Sequence, residues 1–551
     1  MANKMKRTKY IFVVGGVMSG VGKGITTSSI GKILQSRGLS VTALKIDPYI
    51  NVDAGTMNPT EHGEVFVLSD GYETDQDMGN YERFLNIELD RGNYMTTGLV
   101  YKTVIERERN LEYGGKCVQV VPDIPIEVIR RIRKAAKKVS ADVAIIEIGG
   151  TAGEYENVLF LEAVRMMKIE SPGDVITVMV SYLPTPSTVG EMKTKPTQHA
   201  VHLLNSAGIQ PEIIVARADR PLDEKRKEKI AMFCSVRKED VISAPDVESI
   251  YDVPLNFEKD CLSDILLAKL GLKGKKQNGS LREWERSVKR IHSATKEVRI
   301  GIVGKYFKTG DFVLSDAYIS VIEAIKHAAC AVDCKAVLTW IDSTEFEQDP
   351  EKLASLRQYD GIIIPGGFGS RGIEGKISVI RYCRENKIPY LGLCYGMQLA
   401  VIEYARNILG LQDAHTTEVN ENTPYPVVDI MPQQKENMLK KNYGATMRLG
   451  QYKAKIVPNT IAHEAYGANS VLERHRHRYE VNPKYVEKLK KAGLVFSATS
   501  PDGVLMEIAE LPKKKHPFFL ASQFHPEFQS SLLSPNPLFL AFLEVCKKNR
   551  K

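Results

Sequence analysis

The sequence predicts an α/β chain of two doubly wound domains, each built on a mainly parallel sheet. Three observations predict it. Short, unalternating Val/Ile-rich runs recur between helical patterns. A glycine-rich turn, GGVMSGVGKG at Gly15–Gly24, joins one such run to a helix, and a second strand-to-helix turn, GLCYG at Gly392–Gly396, stands far downstream. Runs of this kind read as strands buried on both faces, which requires helices on either side of a parallel sheet.

In chain order the predicted strands are Tyr10–Val14, Val41–Ile46, Val118–Val121, Val143–Ile148, Val175–Val180 and Ile213–Ala216, with a helix over Ile25–Ser36. LKGKKQNGS at Leu272–Ser280 is polar and Lys-rich and breaks that rhythm. A charged helical stretch, Leu281–Lys296, follows, and then a fresh strand, Val298–Val303. Strands near Gly361–Ile364, Tyr390–Leu393 and Phe518–Ala521 repeat the pattern. The expected organisation is a first domain over residues 1–272, a linker over 273–297 and a second domain over 298–546.

At 551 residues the chain is too long for a single core. Its make-up, 43% hydrophobic and 26% charged, is that of ordinary globular material. The net charge of +8 lies in clusters such as Lys273–Lys276 and Lys513–Lys515, with no aromatic-interleaved basic stripe. Binding of small polyanions, such as nucleoside triphosphates, explains the basic balance as well as nucleic acid does, and a solvated, mildly basic surface without a partner is the alternative. The eight cysteines are scattered without any CxxC, which argues against a disulfide framework or a zinc site. No apolar run reaches the roughly 18 residues that span a bilayer, and MANKMKRTKY leads into a strand without a cleavage site. The expected setting is cytoplasmic, with no membrane partner.

The turn at Gly15–Gly24 can curl so that successive N–H groups face a phosphate, with the helix N-terminus behind them. Lys23 would reach the outer phosphates. The spacing from Gly16 is one residue longer than the usual loop pattern, and Gly24 replaces the Ser/Thr that touches magnesium. A glycine-rich structural turn is the alternative. Asp77, in DGYETDQD, and Glu147, near the end of strand Val143–Ile148, are the candidate magnesium ligands, since magnesium takes one or two carboxylates plus phosphate oxygens. Lys45, after the second strand, and the turn KTKPTQ at Lys193–Gln198 add cations suited to a triphosphate.

In GLCYG the flanking glycines permit a tight turn that holds Cys394 clear of the sheet. The following helix N-terminus favours the thiolate. FHPE at Phe524–Glu527 supplies a base, His525, and a carboxylate, Glu527, to orient it. Pro526 biases His525 toward an extended backbone, so residues i and i+2 project to one side. PGGFG at Pro365–Gly369 offers bare N–H groups to an oxyanion. A buried, inert thiol is the ordinary reading of any single cysteine; the elbow, the glycine turn and the His-x-Glu pair together favour a nucleophile.

These motifs carry a resemblance. The second half is similar to class I triad glutamine amidotransferases, and the whole chain resembles the CTP synthase family. KIDPYINVDAGTMNP (Lys45–Pro59), HGEVFVLSDGYETDQDMGNYERF (His62–Phe84), EIGGTAGEYE (Glu147–Glu156), KTKPTQH (Lys193–His199), PGGFGSRG (Pro365–Gly372) and ERHRHRYEVN (Glu473–Asn482) carry it. It implies a P-loop, dethiobiotin-synthetase-like amidoligase domain that uses ATP to phosphorylate the 4-oxygen of UTP. Ammonia from L-glutamine would then displace phosphate to give CTP. The resemblance assigns ATP to Ser19, Gly20, Val21, Gly22, Lys23, Gly24, Ile25, Lys45, Asp77 and Val247. It assigns magnesium to Asp77 and Glu147. UTP and the feedback inhibitor CTP fall to Ser19, Glu154, Tyr155, Glu156, Lys193, Thr194, Lys195, Pro196, Thr197, Gln198 and Lys229. Cys394, His525 and Glu527 form the implied triad, with Gly367 and Tyr395 as oxyanion donors. Gly396, Met397, Gln398, Glu418 and Arg478 complete the glutamine site. The resemblance also implies a homotetramer activated by GTP, with an ammonia tunnel between the domains.

The chain departs from the family pattern in places. Gly20 stands where many relatives have Ser, Asn80 and Asp123 where several have His, and EYE at Glu154–Glu156 replaces Asp-Ile-Glu. Met431–Tyr443 matches poorly around the usual GTP contacts, which leaves Phe368 and Arg371 for GTP. Two rivals stand beside this reading: a cobyrinate-type amidoligase, which would lack the Asp53–Pro59 and Lys193–Gln198 blocks, and a ParA-like ATPase with a degenerate amidotransferase as scaffold. The intact Cys394, His525 and Glu527 argue against the scaffold.

Overall fold

A computed structural model describes residues 7–188, 190–275, 279–304, 308–309, 312–313, 315–367, 369–431, 434, 444 and 446–549. The chain forms two compact units: Met1–Asp53 with Asp77–Val288, and Ala54–Gln76 with Lys289–Lys551.

The first unit holds a seven-stranded parallel sheet. Its order is Tyr94–Thr96, Val41–Asp47, Val143–Ile148, Lys9–Gly16, Val175–Tyr182, Ile213–Ala218, Val241–Pro245. Val41–Asp47 and Val143–Ile148 are buried along their whole length, as unalternating aliphatic runs require. Separate apolar clusters cover the two faces, one including Phe12 and Ile146 and the other Ile11 and Ile145. Register sets Lys45 beside Glu147, and Val13 beside Glu147 on the other edge. The glycine turn therefore leaves the carboxyl end of the central strand next to both.

Three local expectations fail here. Val118–Val121 is not a strand: Val120 and Val121 open helix Val120–Lys138 and are about half exposed, unlike the doubly buried run a central strand needs. Lys45 lies inside its strand rather than after it. Lys195–Gln198 is the first turn of helix Lys195–Ser206, with Pro196 at a helix start, where its missing N–H costs nothing.

The segment expected as a charged helical stretch is helix Gly279–Ser293. It is pinned by Trp284, which is fully buried, donates from Nε1 to the Tyr251 carbonyl at 2.8 Å and packs on Phe84 and Tyr251.

The second unit holds a nine-stranded mixed sheet. Lys335–Asp342, Glu297–Gly304, Gly361–Ile364, Tyr390–Leu393 and Phe519–Ser522 run parallel. Met506–Glu510, Val495–Thr499, Arg448–Ile456 and Ser470–His477 extend it antiparallel. The wing escaped a search for apolar runs because strands such as Arg448–Ile456 mix buried and solvent-facing residues. Ala54–Gln76, with its hairpin Phe66–Val67/Glu73–Thr74, packs in this unit. Among the described residues no helix is long and apolar enough to cross a membrane.

Candidate active sites

Strand Tyr390–Leu393 ends at Cys394, whose φ of 51° and ψ of −97° lie outside the usual basins for a side-chain-bearing residue. Helix Tyr395–Asn407 starts immediately after it. A Cβ on Gly396 would collide with the Ile364 carbonyl, so only glycine lets the helix close onto the neighbouring strand. The strained turn presents the thiol to a cavity of about 480 Å³. Gly366, Gly367, Glu418, Arg478, His525 and Glu527 line it as well. Gln523 Nε2 donates to Cys394 Sγ at 3.6 Å, and Sγ lies 3.8 Å from the Arg476 carbonyl.

His525 Nδ1 is 2.7 Å from Glu527 Oε1. The extended-chain argument for this contact does not hold, since Pro526–Gln529 is a turn of 3₁₀ helix that brings the carboxylate back under the ring. Nε2 makes no hydrogen bond of ordinary geometry among the described residues. A Cβ placed on Gly366 would be 2.8 Å from His525 Cε1 and 3.7 Å from Cys394 Cβ, so bare glycine is what lets ring and thiol share one space. Burial alone would lower the imidazole pKa, but the Glu527 carboxylate and then the Cys394 sulfur push it up to about 10.

Glu418 Oε1 accepts from Gly369 N–H at 2.8 Å, and Arg478 Nη1 donates to Gln434 Oε1 and Thr446 Oγ1 at 2.8 and 2.9 Å. A carboxylate and a guanidinium on one cavity wall suit the two charges of an amino acid. Tyr395 and Met397 are buried in the first turn after the thiol. Gln398 Nε2 donates to the Tyr479 carbonyl at 2.9 Å, and its buried Oε1 has no hydrogen-bond partner among the described residues.

Sequence reading missed the cavity's other wall. Gly55, Thr56, Met57, Glu64 and Val65 line it, although they stand in the half assigned to the synthetase. Phe66 meets Phe528 edge-on at 5.0 Å, Phe528 stacks on His525 at 5.0 Å, and Arg476 Nε binds Glu73 Oε1 at 2.8 Å. The only hint was the density of family-like residues across 54–76, which does not say where a segment packs. Phe368, and all of Met431–Tyr443 except Met431 and Gln434, lie outside the described residues; Arg371 is exposed, 3.9 Å from Asp342.

In the first unit, Lys23 is buried at the start of helix Lys23–Ser36 and donates to the Gly150 carbonyl at 2.7 Å. Burial lowers its pKa. A Cβ on Gly24 would strike Asp77 Oδ1, so a side chain there would have to push the Asp77 carboxylate aside. Asp77 opens helix Asp77–Leu85. Lys45 Nζ lies 2.9 Å from Glu147 Oε1, binds Asp77 Oδ2 and stands 3.6 Å from Asp47; Tyr81 donates to Glu147. Burial would lower the Lys45 pKa, but Asp77 and Glu147 hold it well above normal. Burial raises Glu147; it would raise Asp77 too, but Lys45, Lys23 and a hydrogen bond from Asn80 together lower that carboxyl. Two carboxylates that converge beside a phosphate loop fit a magnesium ion completed by phosphate oxygens and water. They form no self-sufficient cage, since no cluster of three or more His, Cys, Asp or Glu able to hold a metal occurs among the described residues.

Gly22 and Ile25 border a small hollow with Arg217, Pro245, Asn256 and Phe257, and Val247 packs against the same core. Ser19, Gly20, Lys195 and Lys229 face solvent, as does Tyr155, 93% exposed. Lys193 pairs with Glu191 at 2.7 Å, and the Lys229 charge also acts on that carboxylate. Thr197 Oγ1 accepts from Ser181, and Gln198 donates to Thr194. Glu154 is turned toward Thr151 N and Oγ1 at 3.0 and 2.9 Å rather than toward these cations.

The thiol cavity and fold define a class I glutamine amidotransferase unit joined to a synthetase unit. Family models for the CTP synthase N-terminus and for glutamine amidotransferase class-I match residues 9–272 and 313–545. The chain is 51% identical to the CTP synthase of Methanococcoides burtonii, covering 98% of this chain and 99% of that one. It is 52% identical to those of Thermococcus gammatolerans and Pyrococcus furiosus, over 98% and 99% of this chain and 99% of each relative. The chain belongs to the CTP synthase family.

Proposed function

We propose that the chain aminates UTP to CTP with ATP, using ammonia cut from glutamine. The observation that carries this is the single cavity in which Cys394 meets the His525–Glu527 pair, on a chain matched along nearly its full length by CTP synthases. The Cys394 thiolate attacks the glutamine carboxamide carbon, and the N–H groups of Gly367 and Tyr395 receive the oxyanion. His525, charged and fixed by Glu527, gives its proton to the departing ammonia. Water, deprotonated by His525, then hydrolyses the thioester to glutamate. Glu418 takes the substrate ammonium and Arg478 its carboxylate, with Gly396 and Met397 shaping the wall.

In the synthetase, residues 1–272, the 4-oxygen of UTP attacks the γ-phosphorus of ATP and ADP leaves. Ammonia adds at C4, phosphate departs, and the extra proton passes to water. Lys23 and Lys45 meet the growing negative charge. Magnesium held by Asp77 and Glu147 would neutralise phosphate oxygens. Ser19–Ile25 and Val247 bind ATP; Glu154–Glu156, Lys193–Gln198 and Lys229 bind UTP or CTP. The exposure of Tyr155, Lys195 and Lys229, together with that of the apolar residues Ile105, Val120, Val121 and Val158, supports a site completed in a homotetramer. GTP activation, CTP feedback and a cytoplasmic setting belong to the same reading.

The test is a CTP-formation assay with UTP, ATP and magnesium, fed by glutamine or by ammonia, with and without GTP. CTP from both nitrogen sources is expected. Turnover of a corrinoid acid but not of UTP would overturn the assignment.

A further inference from the structure

Beneath the thiol cavity lies a buried polar network that the chemistry above does not use. Arg448 Nη1 binds Glu480 Oε1 at 3.1 Å, and its Nη2 binds Glu507 Oε1 at 2.8 Å. On the adjoining strand, Ser470–His477, the rings of His475 and His477 meet through Nδ1 and Nε2 at 2.9 Å. His477 Nδ1 is 3.1 Å from the Tyr479 carbonyl. All five of these side chains are essentially buried.

The tautomers follow from one fixed acceptor. A carbonyl oxygen only accepts, so His477 Nδ1 carries a proton. Burial and the Arg448 charge keep both rings neutral, well below the ordinary imidazole range. The Nε2 of His477 is then an acceptor, and His475 Nδ1 donates to it. His475 Nε2 faces Glu507 Oε2 at 3.7 Å. The chain of donors points one way and ends on Tyr479.

That carbonyl is also where Gln398 Nε2 arrives, at 2.9 Å, from the first turn behind Cys394. Tyr479 lines the cavity, and its neighbour Arg478 is the guanidinium there. One oxygen thus joins the thiol's helix to the strand pair that carries Arg478. We propose that His477 is a positioning residue for glutamine: by donating from Nδ1 to the Tyr479 carbonyl, together with Gln398, it fixes Arg478 and Tyr479 relative to Cys394. This rests on the glutaminase reading above.

Asparagine places a donor near Nδ1, whereas glutamine places one near Nε2. The experiment compares His477→Ala, His477→Asn and His477→Gln in the full-length protein, measuring glutamine hydrolysis, glutamine-dependent CTP formation and ammonia-dependent CTP formation. Loss of the Nδ1 donor is expected to lower kcat/KM for glutamine by about tenfold, mostly through KM. Ammonia-dependent turnover should stay at the wild-type level, and His477→Asn should recover most of the loss. His477→Ala with wild-type glutamine kinetics, or His477→Asn as impaired as His477→Ala, would overturn the proposal. Should His477→Ala not fold, the other pair decides: His477→Asn better than His477→Gln supports it, and equal values refute it. A wild-type protein that fails to hydrolyse glutamine refutes the underlying reading instead, so the two failures are distinguishable.

Discussion

Nδ1 of His525 lies 2.7 Å from Oε1 of Glu527, while the opposite nitrogen makes no hydrogen bond of ordinary geometry among the described residues and the Cys394 sulfur acts on the ring's charge. One edge of the imidazole is spent on orientation, and the other is left for chemistry in the cavity that holds Cys394.

Removing the sulfur tests the division of labour. Cys394→Ala should abolish glutamine hydrolysis and glutamine-driven CTP formation, a loss of about 10³-fold or more for a nucleophile. CTP formation from added ammonia should persist near the wild-type rate. Loss of both activities in a folded variant would show that the two reactions do not occupy separate sites.

The pH dependence follows from His525, whose pKa stands near 10 against an ordinary 6.5. A raised pKa means the folded protein holds this proton more tightly. The associated stability is fully present below about pH 6.5 and is lost as pH rises through about 10. Glutamine hydrolysis should therefore keep its charged imidazole across neutral pH and decline only on the alkaline side. Glu527→Gln keeps the shape but removes the charge, so that limb should shift to lower pH, with a fall of roughly 10–100-fold in kcat. An unmoved limb in a rate-against-pH titration would assign it to another group.

How far this was legible from the sequence differs by site. Cys394, His525 and Glu527 were found because strand, turn and short motif are local signals, and the cavity gathers all three. Lys23, Lys45, Asp77 and Glu147 were singled out from the glycine turn and the strand ends, and adjacent parallel strands bring Lys45 and Glu147 into register. The wall formed by Gly55–Met57 and Glu64–Val65 was not legible: nothing local tells a segment to leave the sheet it follows and pack with residues about 250 to 470 positions later. The antiparallel wing was hidden likewise, because half-exposed strands lack continuous apolar runs. Gln398 illustrates a finer limit. Its position after the thiol was evident, but its choice of the Tyr479 carbonyl depends on a strand over 80 residues away.

Lys23→Ala should eliminate CTP formation with either nitrogen source, by at least about 10²-fold, because a buried cation at the phosphate loop is lost. Glutamine hydrolysis measured as glutamate release should survive, since the thiol unit has its own core. Persistent ammonia-driven turnover would remove Lys23 from phosphoryl transfer.

Helix Gly279–Ser293 allows a stability test independent of catalysis. Lys32 Nζ lies 4.9 Å from the centre of the buried Trp284 ring, and burial lowers the Lys32 pKa to about 8, with Glu283 opposing. Between about pH 8 and 10.5 the unfolded chain holds a proton at this lysine that the folded chain has released, so this group makes stability rise with pH across that window. The full contribution is on the order of 3 kcal/mol at most, from the spacing of the two pKa values. Lys32→Met should flatten that rise in denaturant titrations taken at successive pH values. Trp284→Ala should cost about 3–5 kcal/mol, because it empties a packed aromatic site and removes the hydrogen bond to the Tyr251 carbonyl. If Lys32→Met leaves the slope unchanged, the ammonium is not desolvated there, and the aromatic cluster alone holds the helix in place.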